Sequence, residues 1–519
     1  MADGGAFRGG RAAAIKVAAA AAVAALVYGY YARYVSVREE VQDLIDGPRS
    51  GSGRSGGARA ELMRDTPASW LRAEKLLQEA LRLHPRNTYA ICALADAETL
   101  LAGAGFADRA QRAQEARDNA AAKNVSFAEF LEARTLALLQ QGKAAEAEVY
   151  VRSLLEKYPS APAVPRFHDL LGRAQRAQGK LQEAKASFKR AQEGDWRQPR
   201  FAADHGEALL EDGNPADAIA AFDRALQANP EHLRAQIGKA RSQVALARDG
   251  RPVDLKSARA ALDFVLARDA SALTPELRAR ALAARAEVRL AQDDAAGAAQ
   301  DAGAALSAQP RLAAALRARA LVDAAARRPA AAQELQAAVA ADPFDAATCF
   351  DGASALSAAG DLSGAGKLLA ACASALPHTA RYHLALARLL ARKQDAKAAQ
   401  AELGKALSLE PANALVYYEQ GRLLQKQKDR KGAAQAYERA AQLRDDLPDV
   451  YRQMGSLYLD ARQVADALRA FNGALARYRA ARAPQQQLEA FYADVQTSLG
   501  RAGQQKLAAQ WLKEARAAR

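Results

Sequence analysis

Aromatic residues make up only 6% of this 519-residue chain, and cysteine, methionine and tryptophan occur three times each. Strands are rich in aromatic and β-branched side chains, so the shortage argues against a β architecture. Alanine dominates an apolar fraction of 50%, which suits close-packed helices with small contact residues, and the chain is expected to be all-α. The cysteines, Cys92, Cys349 and Cys372, include no C-x-x-C pair. Three in so long a chain exclude a disulfide scaffold, and each reads as a small buried hydrophobe.

Catalytic and metal-binding patterns are also missing. None of the six histidines (His84, His168, His205, His232, His378 and His383) forms an i, i+4 helical pair with a nearby acid, as metal hydrolases require. "HTARYH", with His378 and His383, reads as turn or surface residues. Gly103 and Gly105 in "LAGAGFADRA" lack the preceding strand and the lysine of a phosphate loop, so they read as a turn between helices. No nucleophile elbow, kinase set or paired cysteine cluster occurs. Basic residues do not interleave with a base-stacking aromatic platform. The expectation is a protein that is not an enzyme, with no cofactor, metal or small-molecule substrate, and with nucleic acid disfavoured as a partner.

What the chain has in excess is positive charge, 73 Lys and Arg against 59 Asp and Glu, a formal net charge of +14. An acidic partner or an anionic membrane surface would suit that balance, although arginine-rich, alanine-rich composition reaches it without one.

The one strongly biased segment is "RAAAIKVAAAAAVAALVYGYYARYV". Its apolar run from Val17 to Tyr31 would cover about 22 Å as a helix, less than a hydrocarbon core of roughly 30 Å. Counting residues 12–35, with Lys16 snorkelling, restores a spanning length. Tyr28, Tyr30, Tyr31 and Tyr34 gather at one end, as amphipathic rings do at a membrane interface. A basic N-terminal tail (residues 1–11), a single transmembrane anchor (12–35), and a juxtamembrane helix with a Gly/Ser/Arg linker (36–59) are therefore expected, the linker making anchor and body separable. A cleaved signal peptide and a soluble alanine-rich helix compete with the anchor. The basic residues on either side nearly balance, and a short basic tail is the part most readily left inside. This places the anchor in the inner cell membrane with the body on the extracytoplasmic side.

Beyond residue 60 the chain repeats. Gly206, Ala218, Phe222, Ala225 and Pro230 in "GEALLEDGNPADAIAAFDRALQANP" recur 34 residues earlier as Gly172, Ala184, Phe188 and Ala191. The pattern returns as Ala353, Ala365, Leu369, Cys372 and Pro377, then from Ala387, from Gly421 with Tyr437, and from Gly455 with Phe471. A small residue permits close crossing of two helices, the aromatic or leucine fills the gap beside it, and the proline ends the second helix. Eleven or twelve units follow, with an insertion at "ALARDGRPVDLKSA". Such units bury their apolar stripes only by stacking.

With these residues, and "YRQMGSLYLDARQVADALRAFNGALARY" above all, the chain resembles the tetratricopeptide repeat family. The resemblance implies a right-handed α-solenoid over residues 60–483, closed by a capping helix pair at 484–519 in which Trp511 packs. It also implies a concave groove lined by the first helix of each unit, chiefly from positions six and three before and one, four and five after the signature glycine. Transferred by register, those positions hold Arg166, Arg173, Arg176, Arg200, Arg234, Arg241, Arg280, Arg317, Arg381, Arg388, Arg392, Tyr418, Arg422 and Lys426. Asp169, Glu207, Glu211, Glu287, Asp449 and Asp460 are the acids among them, outnumbered about two to one. Arginine forks hold carboxylates bidentately, so an acidic peptide or helix is the expected ligand. The asparagines of the chaperone-tail carboxylate clamp are absent from the matching positions. Phe350, with Ser354 and Ser357, marks a less charged patch where an exposed ring would anchor a partner and a buried one would belong to the core. The resulting expectation is a membrane-anchored scaffold or adaptor for protein partners, with an accessory subunit of a cell-envelope polymer synthesis, secretion or pilus-type system as the alternative.

Overall fold

The computed structural model describes the backbone of residues 6–47 and 56–517, apart from 107, 124–126, 250, 270–272, 374–375, 377–378, 482 and 484. The side chains of residues 6–24, 30 and 486 lie outside that description, as do most of the Gly/Ser/Arg linker, Pro377 and His378. Every element among the described residues is a helix, and the chain divides into two compact units, Met1–Ala163 and Val164–Arg519.

The first unit contains α1 (Ala6–Asp46), α2 (Ala58–Met63), α3 (Pro67–Leu83), α4 (Thr88–Gly103), α5 (Arg109–Ala121), α6 (Ala128–Gln140) and α7 (Ala144–Lys157). Residues 12–35 fall inside α1. Among the described residues no helix is long and apolar enough to cross a membrane. The C-terminal end of α1 is not a separable arm as its linker composition had suggested. Val41 and Ile45 are buried with Ala58, Ala73, Leu77, Ala80, Ala90, Ala93 and Ala97 in one apolar core. Gly57 lies so close to Asp46 and Gly47 that a Cβ there would collide with their backbone, so both ends of segment 48–55 are held together. Farther up α1, Leu26, Val27, Tyr28, Tyr31 and Tyr34 are exposed.

The second unit is a stack of ten antiparallel helix pairs. The first four are α8 (Val164–Ala177) with α9 (Leu181–Gly194), α10 (Pro199–Glu211) with α11 (Pro215–Ala228), α12 (Leu233–Arg248) with α13 (Leu255–Leu266), and α14 (Pro275–Ala291) with α15 (Ala295–Ala308). Next come α16 (Ala313–Ala325) with α17 (Ala330–Ala341), α18 (Ala346–Ala359) with α19 (Leu362–Cys372), and α20 (Ala380–Arg392) with α21 (Ala396–Leu409). The last three are α22 (Ala414–Lys426) with α23 (Arg430–Leu443), α24 (Pro448–Asp460) with α25 (Val464–Ala480), and α26 (Gln485–Arg501) with α27 (Gln505–Ala517).

The 34-residue pattern maps onto these crossings. A Cβ at Gly172, Gly206, Gly421 or Gly455 would lie under 3.0 Å from a ring carbon of Phe188, Phe222, Tyr437 or Phe471 respectively. Where the first helix carries alanine, as at Ala320 and Ala387, the second carries the smaller Leu335 or Leu403, so the pair exchanges volume at constant fit. The turn inside most pairs has one residue in the left-handed region. Gly179 and Gly213 supply it, then Asp293, Arg327, Gly360, Gln394, Lys428 and Arg462, in steps of 33 or 34 from Asp293 onward. The following helix is often capped by an aspartate: Asp294, Asp361, Asp395 and Asp429 accept from the backbone N–H three residues on, at 2.7–3.0 Å.

Two cysteines are not the inert hydrophobes expected of them: Cys349 of α18 and Cys372 of α19 form a disulfide within one helix pair, while Cys92 is free and buried. At the C-terminal end, Trp511 is buried among Phe471, Phe491 and Tyr492 and donates from Nε1 to Asn472 Oδ1 at 2.8 Å.

Candidate functional site

The first helices of successive pairs in the second unit, α8 to α24, form its inner wall. Long side chains standing on this wall meet across it, because the stack curves. Arg248 at the end of α12 reaches Asp351 of α18 at 2.6 Å, Arg251 reaches Asp446 before α24, and Gly213 lies against the side chain of Arg381. Between them is a cavity of about 1650 Å³, lined from the α10–α11 turn to the start of α24.

The wall changes character along its length. At α8, α10 and α12, Arg173 bonds Asp204 at 2.7 Å and pairs with Asp169, and Arg176 bonds Glu207 at 2.9 Å and also Glu211. Arg200 pairs with Asp169, and Arg234 pairs with Asp204 and Glu207. Four guanidiniums thus face four carboxylates. Burial alone would push the Asp204 carboxyl up; Arg173 and Arg234 outweigh it and hold the group well below the ordinary carboxylate range. The same contest, with Arg234 and Arg176 prevailing, brings Glu207 down to about 2.

The middle of the wall is drier. Arg317 of α16 is 2% exposed, donates to Glu287 of α14 at 2.9 and 3.0 Å and pairs with Asp345 before α18. Arg248 also holds Glu287, at 2.9 Å. Despite burial, Arg317 and then Arg241 bring the Asp345 carboxyl down to about 2. Arg241 makes no hydrogen bond among the described residues; burial, and next the charge of Arg317, lower its pKa. Phe350 is 6% exposed and belongs to the core with Cys349, Leu368 and Leu389, so it is not the exposed anchor considered from its position. Its ring edge borders the cavity and carries the Arg381 guanidinium at 5.2 Å.

At α20 and α22 the cations outnumber their partners. Arg388 and Arg422 share one carboxylate, Glu419, at 2.9 and 3.1 Å. Arg392 donates to the Ser357 carbonyl at 2.7 Å, and Lys426 is exposed on the cavity rim. Arg381 has Asp351 at 3.4 Å, already engaged by Arg248. Tyr418 is half-buried and tilts against Tyr437; burial, with Asp449 nearby, pushes its phenol up to about 12. Of the other expected residues, Arg166 is half-buried on α8, and Arg280 pairs along its own helix with Glu276. Asp460 is exposed at the end of α24.

Among its described lining residues the cavity has ten basic and ten acidic side chains, so the basic excess of the register positions is not a property of the cavity itself. The acids overlooked by register, Asp204, Asp345, Asp351 and Glu419, lie on the next first helix or just before it. Except for Asp345, their signal was present as opposite charges 30 or 31 residues apart, in Arg173 and Asp204, Arg234 and Asp204, Arg381 and Asp351, and Arg388 and Glu419, an interval that Arg176 and Glu207 and Arg317 and Glu287 share. That interval is one repeat less three or four residues, the offset that brings neighbouring parallel helices face to face. What the described side chains of the wall offer chemically is hydrogen-bond donors and charge.

Comparison with known proteins gives tetratricopeptide repeat family models matching residues 136–199, 169–231 and 203–252, and again 380–413 and 414–447. Among solved structures, the yeast Tom70 is similar at 15% identity over 75% of this chain and 96% of its own, with a TM-score of 0.38. The APC/C hetero-tetramer Cut9–Hcn1 is similar at 14% identity over 88% and 95%, with a TM-score of 0.36. A tetratricopeptide repeat protein from Parabacteroides merdae is similar at 18% identity over 57% and 97%, with a TM-score of 0.31. No curated protein matches the sequence.

Proposed function

Taking the chain as a multi-repeat tetratricopeptide protein, a kind of scaffold that binds protein partners, we propose that α1 tethers it to a membrane and that the inner wall of the second unit holds those partners. The observation that carries the reading is the cavity of about 1650 Å³, large enough for an extended segment or one face of a helix and bordered by side chains the repeat pattern leaves free. Its action is binding and assembly, not turnover.

The tether rests on the exposed stretch Leu26, Val27, Tyr28, Tyr31 and Tyr34, two aliphatic side chains and three rings with polar tips, on a helix whose Val41 and Ile45 are seated in the core. The oxidised Cys349–Cys372 pair favours a body outside the inner membrane, since disulfides persist in oxidising compartments. With both features in place, the assembly served is one of the cell envelope, and an accessory role in polymer synthesis, secretion or a pilus-type system follows.

A photo-crosslinking residue placed in the full chain at Ser354 or Ala385 on the wall should capture partners in cells, and one at Lys189 or Arg439 on the outer surface should not. Adducts from the outer positions alone, or from none, would overturn the scaffold reading. Recovery of the intact chain in the soluble fraction would overturn the tether, and protease protection of a C-terminal tag reads the side.

A further inference from the structure

The cations of the inner wall are not equivalent, and their distribution selects one stretch. On α8, α10 and the start of α12, Arg173, Arg176, Arg200 and Arg234 are each matched by a carboxylate on the same or a neighbouring first helix, and Asp169, Asp204 and Arg200 are buried. A ligand carboxylate arriving there would have to displace partners already in place. On α20 and α22 the cavity is lined by Arg381, Arg388, Arg392, Arg422 and Lys426, with Glu419 the one acid those two helices contribute among its described lining residues. The side chains of Arg388 and Arg422 are 40% and 44% exposed, so they remain reachable while sharing that acid. Arg392 has a neutral carbonyl as its acceptor, which a carboxylate would outcompete.

Opposite this patch stands a carboxylate of the chain itself. Asp249 caps α12 at the insertion before α13 and faces Arg381, Arg388 and Arg444, with Asp351 beside it. It lines the same cavity as Arg381, Arg388 and Arg444, and burial raises its pKa against the pull of those cations. It occupies the field in which a ligand's acid would be held.

We propose that the partner presents an acidic polypeptide segment, which docks on the cationic face of α20 and α22 in competition with Asp249. This rests on the inner wall being the partner site. A polypeptide fits better than a nucleic acid, because Asp445, Asp446 and Asp449 line the same cavity. They would repel a chain carrying a phosphate at every residue, whereas a peptide can place its carboxylates toward α20 and α22 and its backbone N–H groups toward the aspartates.

The test uses the full-length chain in detergent micelles and a fluorescent peptide of about 15 alternating Glu and Ala residues, read by anisotropy beside a Lys–Ala peptide and a single-stranded DNA of similar length. The acidic peptide should bind. The exposed double variant Arg392→Ala/Lys426→Ala should weaken it about tenfold with the melting curve unchanged, Asp249→Asn should tighten it several-fold, and Lys189→Ala/Arg190→Ala on the outer surface should leave it alone. No binding of the acidic peptide, equal binding by the Arg392/Lys426 variant, or DNA bound as tightly and lost in parallel would each overturn the proposal. If it falls while crosslinks from Ser354 persist, the scaffold reading stands and only the ligand's chemistry is wrong.

Discussion

The wall at α8–α12 and the wall at α20–α22 are both rich in arginine, and they are electrostatic opposites. In the first, Arg173, Arg176, Arg200 and Arg234 are structural, each holding carboxylates that tie neighbouring helix pairs together. In the second, Arg388, Arg392, Arg422 and Lys426 stand beside one carboxylate and one carbonyl. The lesson is that a basic residue pointing into a groove counts toward ligand binding only after its own neighbours have been counted. The cost of burying charge also means that matched pairs hold the stack in register more than they stabilise it.

Four substitutions and one titration would break or sharpen this contrast. Glu287→Ala removes the carboxylate that Arg317 and Arg248 share, leaving the buried Arg317 with Asp345 alone, and should destabilise the second unit by about 3 kcal/mol, read as a fall in the urea midpoint. The Cys349–Cys372 pair lies where the wall turns from matched to surplus. Its removal in Cys349→Ala/Cys372→Ala should cost about 3 kcal/mol, and a reducing agent should have the same effect on the native chain and none on the variant. Glu207 and Asp345 have pKa values depressed to about 2, below their unfolded values. Their contribution is complete above roughly pH 4.5 and is lost as the pH falls toward 2, so denaturation midpoints at pH 7, 4 and 2.5 should drop in that order, with Glu207→Gln flattening the slope. Arg388→Ala, at the exposed end, should change stability by about 1 kcal/mol or less, and a loss as large as that of Glu287→Ala would erase the distinction between the two walls. Lys428→Gly relieves a left-handed turn residue and should raise stability by about 0.5–1 kcal/mol, visible as a small rise in melting temperature.

The stacking of helix pairs was legible because its determinants are local and periodic. Gly206 and Phe222 are 16 residues apart in one hairpin, and the same spacing at Gly421 and Tyr437 makes the same crossing. Helix ends could be read from prolines and capping aspartates for the same reason. The pairing within the candidate site was not legible: register put Arg176 and Arg388 on the first helices of their pairs, but their carboxylate partners are a helix pair away, and counting each residue alone left the pairing out. Phe350 occupies a groove register position yet packs inward, because the small residues around it, Gly352 and Ala353, let α18 settle deeply against Leu335 and Leu368. The disulfide was hidden by arithmetic, since an odd cysteine count masked a pair whose members face each other inside a single repeat.

That pair also has a mechanical meaning. It closes a loop within α18 and α19 and joins no repeat to the next, so a force applied to the ends of the chain could peel the other hairpins apart one after another. At this one, 23 residues stay behind the covalent bridge, and the stretched chain would come up about 80 Å short of its full contour. Reduction would restore the missing length, giving a single-molecule ruler for the redox state of one repeat.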